Sequence, residues 1–537
     1  MKRSRRARAA VQPEPQRSGA PSWGVRLIDA AAFATIILCA LLAWASRGNL
    51  NVDGVSYLDL AARLGDGDWK SFVQGYWSPA YPVLLALSIV PAGLSGSAAV
   101  TVAHLLNFWV AVLAIVMLWL AARRRGDPAL ALLAFTAFLV CSARTPRLDA
   151  VTPDLLLLVA VTGLGLELLR EEGWRGVRAG LWAGLAYLAK TSAWPWLLAV
   201  VVLGLVAAGR NPHSRRELGK AAAVALVPIL CWAGLLAAES GWSTFADSGR
   251  YGECWYLRNC DGRSPDIHRG EHRSYLSWDV DSIAPVRVAM FPSGSWTYTP
   301  WSDPSAWQRG IITQRRDPIA VSGFIAYFLR QAGATFRYWL PWLIFLVLIP
   351  GRATTRALPA LRESWRSPDS FLMMAGVLGV CQFLSVHAEP RLIAPFVLLA
   401  ALGFIHRLGR GTGTRWQWPA ALAGYVVALG VGVAHLSDQA RVTRSSDRRT
   451  ARLEATFPPG AAPHRIVIVG EAFGLVPDLY RARAMATAQV MELDGRVVPT
   501  LTSQLDLARR MGETGATAAW LSTSDSSYSI VLLPGAE

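Results

Sequence analysis

The stretch LIDAAAFATIILCALLAWA at residues 27–45, followed closely by NVDGVSYL at residues 51–58, sets the plan of this chain. The first part is an apolar run close to the length of a bilayer-spanning helix. The second places the carboxylate of Asp53 just after that run, so Asp53 is predicted to lie just outside the membrane. There it can meet one substrate carried by lipid and another carried by water. The stretch therefore predicts an active site at an interface.

Composition points to a membrane protein rather than to a set of soluble domains. The chain has 537 residues, of which 53% are hydrophobic and only 17% charged. Its apolar residues are bunched into runs near bilayer length, which is typical of a polytopic membrane protein. The formal charge of +16 comes from short basic clusters between those runs, without a continuous basic stripe or a recognisable nucleic-acid module. Nucleic acid is therefore not expected as a partner.

The apolar runs predict about eleven transmembrane helices and an all-α membrane domain over residues 27–436, preceded by a basic tail at residues 1–26. The predicted spans are residues 27–46, 98–122, 128–143, 151–169, 177–191, 194–209, 221–238, 335–350, 370–386, 392–406 and 418–436. The run at 81–94 is too short and too closely flanked by proline to span, so we predict a re-entrant or surface-lying helix there.

The positive-inside rule orients these spans. Five clusters fall on one side of the membrane in this topology, around residues 123–125, 170–178, 210–220, 352–366 and 407–415. Because basic loops prefer the cytoplasm, the N-terminus is predicted to be cytoplasmic, in the cytoplasmic (inner) membrane of a cell. Loops 47–97 and 239–335 and the C-terminal segment are then extracytoplasmic. Cys254 and Cys260 share the second loop, where a disulfide and two free thiols both remain open.

Beyond the last span the composition becomes soluble, which predicts a small extracytoplasmic α/β domain over residues 437–537. Residues 437–450 are interpreted as a linker. A buried strand is predicted at 465–470, an amphipathic helix at 501–515 and a closing strand at 528–533. Stability, acceptor docking and partner binding are all open as roles of this domain.

Charged residues at the outer edge of the spans are the candidates for chemistry, because charges near hydrocarbon are costly unless they are used or paired. They are Asp53, Asp59, Arg144, Arg147, Asp149, Asp154, Lys190, His387, Glu389 and Arg391. A carboxylate can accept a proton from an attacking hydroxyl, while Lys and Arg can neutralise a departing phosphate. The set predicts group transfer from a phosphate-activated, lipid-borne donor. Mutual pairing of the charges is the alternative, and Tyr57 and Trp77 are further candidates for substrate binding.

Five short motifs in this order resemble the GT-C superfamily of polyprenyl-phosphate-sugar-dependent glycosyltransferases. They are SYLDLA (56–61), GYWSPAYPVLLAL (75–87), RLDAVTPDLLLL (147–158), GLAYLAKTSA (184–193) and HAEPRLIAPF (387–396). The pattern is similar to the bacterial branch related to protein O-mannosyltransferases and lipid A aminoarabinose transferases, over roughly residues 25–410. The resemblance implies a GT-C-like fold and transfer of a sugar from a polyprenyl-phosphate donor at the outer face of the membrane.

The resemblance also implies roles for individual residues. Asp53 matches the first-loop acid that orients or deprotonates the acceptor hydroxyl, in a reaction that inverts the anomeric carbon. Lys190 and Arg391 match basic residues that bind the lipid phosphate. Either Asp149 or Asp154 matches the family's acidic position at the start of the fourth span.

One departure bears on the acceptor: protein O-mannosyltransferases carry adjacent acids in the first loop, whereas Gly54 follows Asp53 here. A lipid, a glycan and a protein all remain open as acceptors. A divalent metal is also open, because Asp149, Asp154, His387 and Glu389 have suitable oxygen and nitrogen atoms. Two other functions compete: a transporter or flippase of a lipid-linked sugar, and a non-catalytic membrane scaffold.

Overall fold

The computed structural model shows a polytopic helical membrane protein with a small mixed sheet. The described residues are 22–143, 148–170, 175–209, 211–240, 244–252, 276–279, 287–290, 321–348, 367–411, 418–456, 466–469, 476–481, 490–493, 518–522 and 528–532. The α-helices are α1 (Ser22–Ala45), α2 (Val52–Gly65), α3 (Trp69–Phe72), α4 (Ala80–Ile89), α5 (Gly96–Arg125), α6 (Pro128–Ala143), α7 (Asp154–Leu168), α8 (Gly176–Ala189), α9 (Trp194–Ala208), α10 (Pro212–Ser240), α11 (Ser248–Gly252), α12 (Val321–Leu348), α13 (Pro368–Leu384), α14 (Pro390–Gly411), α15 (Trp418–Thr456) and α16 (Val476–Arg481). Short 3-10 turns cover Val90–Ala92 and Thr191–Ala193.

Each predicted span coincides with a helix, although several helices are longer than their apolar runs. In the described part of the chain, six helical segments are long and apolar enough to cross a membrane: Ser22–Ala45, Gly96–Arg125, Thr191–Ala208, Pro212–Glu239, Pro390–Gly409 and Trp418–Ala455. Shorter apolar helices cover Ala80–Ala92, Pro128–Ser142 and Pro368–Leu384. The total of eleven spans stays a prediction. Residues 81–94, predicted not to cross, form α4 and the 3-10 turn that follows it.

Glycines allow two pairs of helices to pack closely. Gly176, Gly180 and Gly184 lie four residues apart along α8, and a Cβ atom at Gly176 would come within 2.1 Å of the backbone oxygen of Glu217 in α10. In the pair of α13 and α14, a Cβ atom at Gly379 would overlap the ring of Phe396. Small residues at such positions bring backbones together, which is how membrane helices gain van der Waals contact.

α15 corrects the interpretation of residues 437–450 as a linker. The helix runs for 39 residues, about 58 Å at 1.5 Å per residue, and so extends far beyond a hydrocarbon core of about 30 Å. Its buried side beyond Leu436 is polar and carries Gln439, Thr443, Ser446 and Thr450. Polar composition suggested a linker, but these small polar side chains pack against the rest of the protein at helical spacing.

A six-stranded sheet joins the C-terminal segment to the long loop before α12. Its strands are β1 (Leu276–Asp279), β2 (Arg287–Met290), β3 (Ile466–Val469), β4 (Val490–Leu493), β5 (Ala518–Ser522) and β6 (Tyr528–Leu532), in the order β1-β2-β4-β3-β5-β6. β3 is parallel to β4 and to β5, and the other pairs are antiparallel.

The sheet contains both strands that the sequence predicted in the C-terminal segment, as β3 and β6. The loop predicted at 239–335 supplies the other two strands of known range before α12, β1 and β2. The predicted helix at 501–515 and the pair Cys254 and Cys260 lie outside the described residues. The side of the membrane on which the sheet lies stays a prediction.

Candidate functional site

Four of the predicted site residues meet in one cluster. The Arg391 guanidinium donates from Nη1 to Asp53 Oδ2 at 3.0 Å, and the same nitrogen lies 3.8 Å from Asp154 Oδ2. The other oxygen of Asp154 accepts a hydrogen bond from Lys190 Nζ at 2.5 Å. Asp53 and Arg391 are 338 positions apart in the chain. Together with Asp154 and Lys190 they form a continuous row of side chains in which negative and positive charges alternate.

Helix ends place these side chains. Asp53 lies in the first turn of α2, Asp154 begins α7 after Pro153, and Lys190 directly follows the last residue of α8. Those positions favour their charges, because a helix N-terminus attracts an acid and a C-terminus attracts a base. Arg391 is the exception, since it lies in the first turn of α14, where the helix dipole disfavours a cation. The surrounding carboxylates offset that cost.

Glu389 and His387 support Arg391 from the segment before α14. Glu389 accepts from Arg391 Nε with one oxygen and lies 2.9 Å from His387 Nε2 with the other. Burial by itself raises the pKa of Glu389, but the hydrogen bond from His387 and the charge of Arg391 outweigh it and lower the pKa to about 2. Glu389 is thus ionised at neutral pH, which suits it to hold Arg391 rather than to carry protons.

Asp149 belongs to a different network from Asp154. Its Oδ2 accepts from Gln439 Nε2 at 2.9 Å and lies 3.5 Å from His435 Nε2, both in α15. The sequence left open which of the two carboxylates matches the acidic position at the start of the fourth span. In the structure, Asp154 is the one that contacts Lys190. Among the described residues, no group of three or more His, Cys, Asp or Glu is arranged to hold a metal ion.

Three residues that sequence reasoning missed connect the loop before α2 to the loop before α7. Asn49 donates from Nδ2 to the Asp149 backbone oxygen at 3.0 Å, and the Asn49 backbone oxygen lies 2.7 Å from His104 Nε2. His104 Nδ1 lies 3.0 Å from the Leu148 oxygen, and Gln439 Oε1 lies 3.3 Å from Asn49 Nδ2. These hydrogen bonds hold together the two loops that present Asp53 and Asp154. A polar His104 inside the apolar run 98–122 was the available signal.

The aromatic rings of Tyr57 and Trp77 pack against each other beside the cluster; this pair is called the aromatic wall. Their rings meet edge to face with centroids 4.9 Å apart, and Tyr57 also meets Tyr81 at 5.5 Å. Burial raises the pKa of the Tyr57 phenol well above its usual value, and the charges of Asp53 and Asp154 raise it further. The phenol therefore stays protonated next to the two carboxylates.

The turn at 75–82 ties this wall to the rest of the site. The Ser78 hydroxyl accepts from the backbone N–H of Thr191, the residue after Lys190, at 2.8 Å. Tyr81 donates to Asn107 Oδ1 at 2.9 Å, and Asn107 in turn donates to the backbone oxygen of Ala150 at 2.8 Å. The turn thus reaches the loops that present both Lys190 and Asp154.

An apolar cavity lies between α7, α8, α9, α10 and α13. Its volume is about 670 Å³. Trp194, four residues after Lys190 in the chain, and Phe245 line one end of it, and Pro368 and Ser214 line the other. Between these ends the lining is almost wholly Leu, Val and Ala. Its lining does not include Asp53, Asp154, Lys190 or Arg391.

Comparison with solved structures addresses the fold. Over 87% of this chain and 85% of the other, the structure superposes with a TM-score of 0.51 and 15% sequence identity on the crystal structure of ArnT from Cupriavidus metallidurans bound to undecaprenyl phosphate. This fold is similar to that of ArnT. The apo crystal structure of the same ArnT matches over the same shares, with a TM-score of 0.51 and 14% identity.

The polytopic helical membrane fold predicted from the sequence is confirmed by this likeness, which extends over most of both chains. The likeness to ArnT is one of fold, since the sequence identity is low. No protein-family model matches the sequence, and no curated protein is detectably similar to it.

Proposed function

We propose that this protein transfers a sugar from a polyprenyl-phosphate carrier to an acceptor hydroxyl at the outer face of the cytoplasmic membrane, with inversion at the anomeric carbon. The observation that carries the proposal is the cluster of Asp53, Asp154, Lys190 and Arg391. Helices α7 and α8, whose ends present Asp154 and Lys190, also line an apolar cavity. Phosphate requires cations and a polyprenyl tail requires an apolar groove. Lys190 and Arg391 supply the cations, and the cavity between the helices supplies the apolar groove.

The donor is held at its two chemically distinct parts. The tail lies in the cavity between α9 and α10, and the phosphate meets Lys190 and Arg391, whose side chains are 20% and 22% exposed. Asp154, at 1% exposed, stays behind them and keeps Lys190 oriented. The ArnT structure with bound undecaprenyl phosphate supports a polyprenyl-phosphate ligand for a fold of this kind.

The chemistry is an in-line displacement with Asp53 as the base. The acceptor oxygen forms a bond to the anomeric carbon, and the bond from that carbon to the phosphate oxygen breaks. The acceptor proton moves to the Asp53 carboxylate, and Lys190 and Arg391 neutralise the charge that grows on the departing phosphate. Arg391 contacts Asp53 directly, so one guanidinium links the base to the leaving-group site.

The test is Asp53→Asn in purified full-length protein, assayed with a panel of polyprenyl-phosphate sugars and candidate acceptors. We expect transfer to fall by at least about 100-fold, a typical contribution of a general base. Asp66→Asn, at the exposed C-terminal end of α2, is the matched control and should retain activity. Transfer by Asp53→Asn at the parent rate would exclude Asp53 as the base. If the parent transfers no sugar while it moves a lipid-linked sugar across vesicles, the protein is a transporter instead.

A further inference from the structure

A row of arginines lies on α15 at the same end of the protein as the proposed active site. Arg441, Arg444, Arg448 and Arg452 are all exposed and follow each other at intervals of three and four residues. At 100° per residue they share one face of the helix. The opposite face carries Gln439, which bonds Asp149, so the row is on the site's end of the helix bundle.

This row departs from the charge pattern of α5, α8 and α14. α5 runs from His104, near the site, to Arg123–Arg125 at the far end, and α14 runs from Arg391 to Arg407. α8 begins after Arg175 at the far end and finishes at Lys190. In these three helices the basic clusters lie away from the site, as the positive-inside rule expects of cytoplasmic ends. Arginines at the outer end of a span run against that rule.

The row also repels itself within the helix. Arg444 and Arg448 stand four residues apart, where like charges destabilise a helix. Two neighbouring acids are engaged elsewhere, since Asp447 pairs with Arg481 and Asp478 pairs with Arg449. Asp438, which is also exposed, stands three residues before Arg441 and can offset charge only at the start of the row. An anionic partner would relieve this repulsion.

Geometry distinguishes among anionic partners. The apolar part of α15 ends near Leu436, and headgroups extend about 5–7 Å beyond the hydrocarbon core on each side. At 1.5 Å per residue, Arg441 lies about 7 Å beyond Leu436 and Arg452 about 24 Å beyond it. A lipid headgroup therefore reaches only the start of the row. Ser437, Ser445, Ala451 and Ala455 flank the arginines, so the face lacks the aromatic anchors typical of protein interfaces.

We propose that this row binds a linear polyanion outside the membrane, a chain of phosphate or carboxylate groups that lies along about 16 Å of helix. Its charge, straight course and height above the bilayer fit such a chain better than a membrane surface or a protein. The inference does not require the proposed transferase activity, because it concerns binding on a face of α15 that points away from Asp149.

The experiment measures binding of long-chain inorganic polyphosphate to the full-length protein in phosphatidylcholine nanodiscs, at several salt concentrations. The variant is Arg441→Gln/Arg444→Gln/Arg448→Gln. The control Arg178→Gln/Arg215→Gln/Arg216→Gln removes the same charge from exposed positions at the other end of the helices. We expect affinity to fall at least tenfold in the row variant, and the slope of log Kd against log salt to drop by about 2, as for three lost phosphate contacts. The control should bind as the parent does.

Three outcomes would overturn the proposal: no binding of polyphosphate by the parent, equal binding by the parent and the row variant, or an equal loss in both variants. An equal loss in both variants would indicate that binding depends on the net charge of the protein and not on the row. Capture by phosphatidylglycerol vesicles without polyphosphate binding would assign the row to a lipid surface. Thermal unfolding controls for folding, since removal of like charges should leave the midpoint of the row variant unchanged or higher.

Discussion

Replacement of Arg391 by Lys tests the site most directly, because it keeps the positive charge and removes the planar guanidinium that contacts three carboxylates. The Arg391 guanidinium contacts Asp53, Asp154 and Glu389 at once, using Nη1 for the first two and Nε for the third. A lysine has a single ammonium on a flexible stem and cannot reproduce that planar fork. Arg391→Lys should therefore lose the hydrogen bond to Asp53 while the net charge of the cluster stays the same.

The expected loss of activity follows from the single hydrogen bond between Arg391 and Asp53. A hydrogen bond between charged groups contributes about 1.5–3 kcal/mol. If Arg391 orients Asp53 and the phosphate in the transition state, its loss should lower kcat/KM for the donor by about 10- to 150-fold, at 1.36 kcal/mol per factor of ten. Initial rates of sugar transfer by purified protein, over a range of donor concentrations, give this ratio.

Arg407→Lys is the matched control. Arg407 lies at the other end of the same helix and also faces a buried acid, Asp369, at 3.5 Å. This control should retain the kcat/KM of the parent, whatever its effect on thermal stability. If Arg391→Lys turned over donor as well as the parent, or if both variants lost activity equally, the reasoning about the guanidinium fork would be wrong.

Three further predictions address the surroundings of the cluster. Gln439→Leu removes the bridge from α15 to Asp149 and Asn49, so we expect kcat to fall several-fold with little change in donor KM; a rise in KM alone would contradict its role in placing the loops. Ala183→Trp fills part of the apolar cavity and should raise donor KM more than it changes kcat, whereas Leu181→Trp on the exposed side of α8 should do neither. The Glu389 pKa of about 2 lies below its usual 4.5, so the stabilisation from this carboxylate is present above pH 4.5 and is lost as pH falls toward 2. Midpoints of thermal unfolding at pH 3 to 6 should converge toward those of Glu389→Gln at the acid end, and midpoints separated equally at every pH would refute the shift.

Local patterns were enough to predict most helices and the residues that form the cluster. A membrane span can be recognised in the sequence from its apolar run, because a membrane helix must be long and hydrophobic whatever its neighbours are. Charges at span ends stand out for the same reason. Asp53, Asp154, Lys190 and Arg391 were therefore visible as candidates in the sequence, before any contact between them was known.

Polar segments next to the spans were harder to predict. Residues 437–450 have the composition of a linker, yet they continue α15, because Thr443 bonds the Ala45 oxygen and Ser446 bonds Asp478. Such contacts are made with segments far away in the chain. Composition cannot show whether a polar side chain will find a partner.

The sequence by itself determined that the chain is a multi-pass helical membrane protein and which charged residues are candidates for chemistry. Tertiary structure alone decided that Asp154 rather than Asp149 accompanies Lys190, since the two carboxylates are five residues apart and differ only in what surrounds them. Asp149 meets Gln439 and His435 from α15, while Asp154 meets Lys190 from α8 and Arg391 from α14. Hydrophobicity acts along the chain and can be read from it, whereas the pairing of charges depends on which helix ends packing brings together.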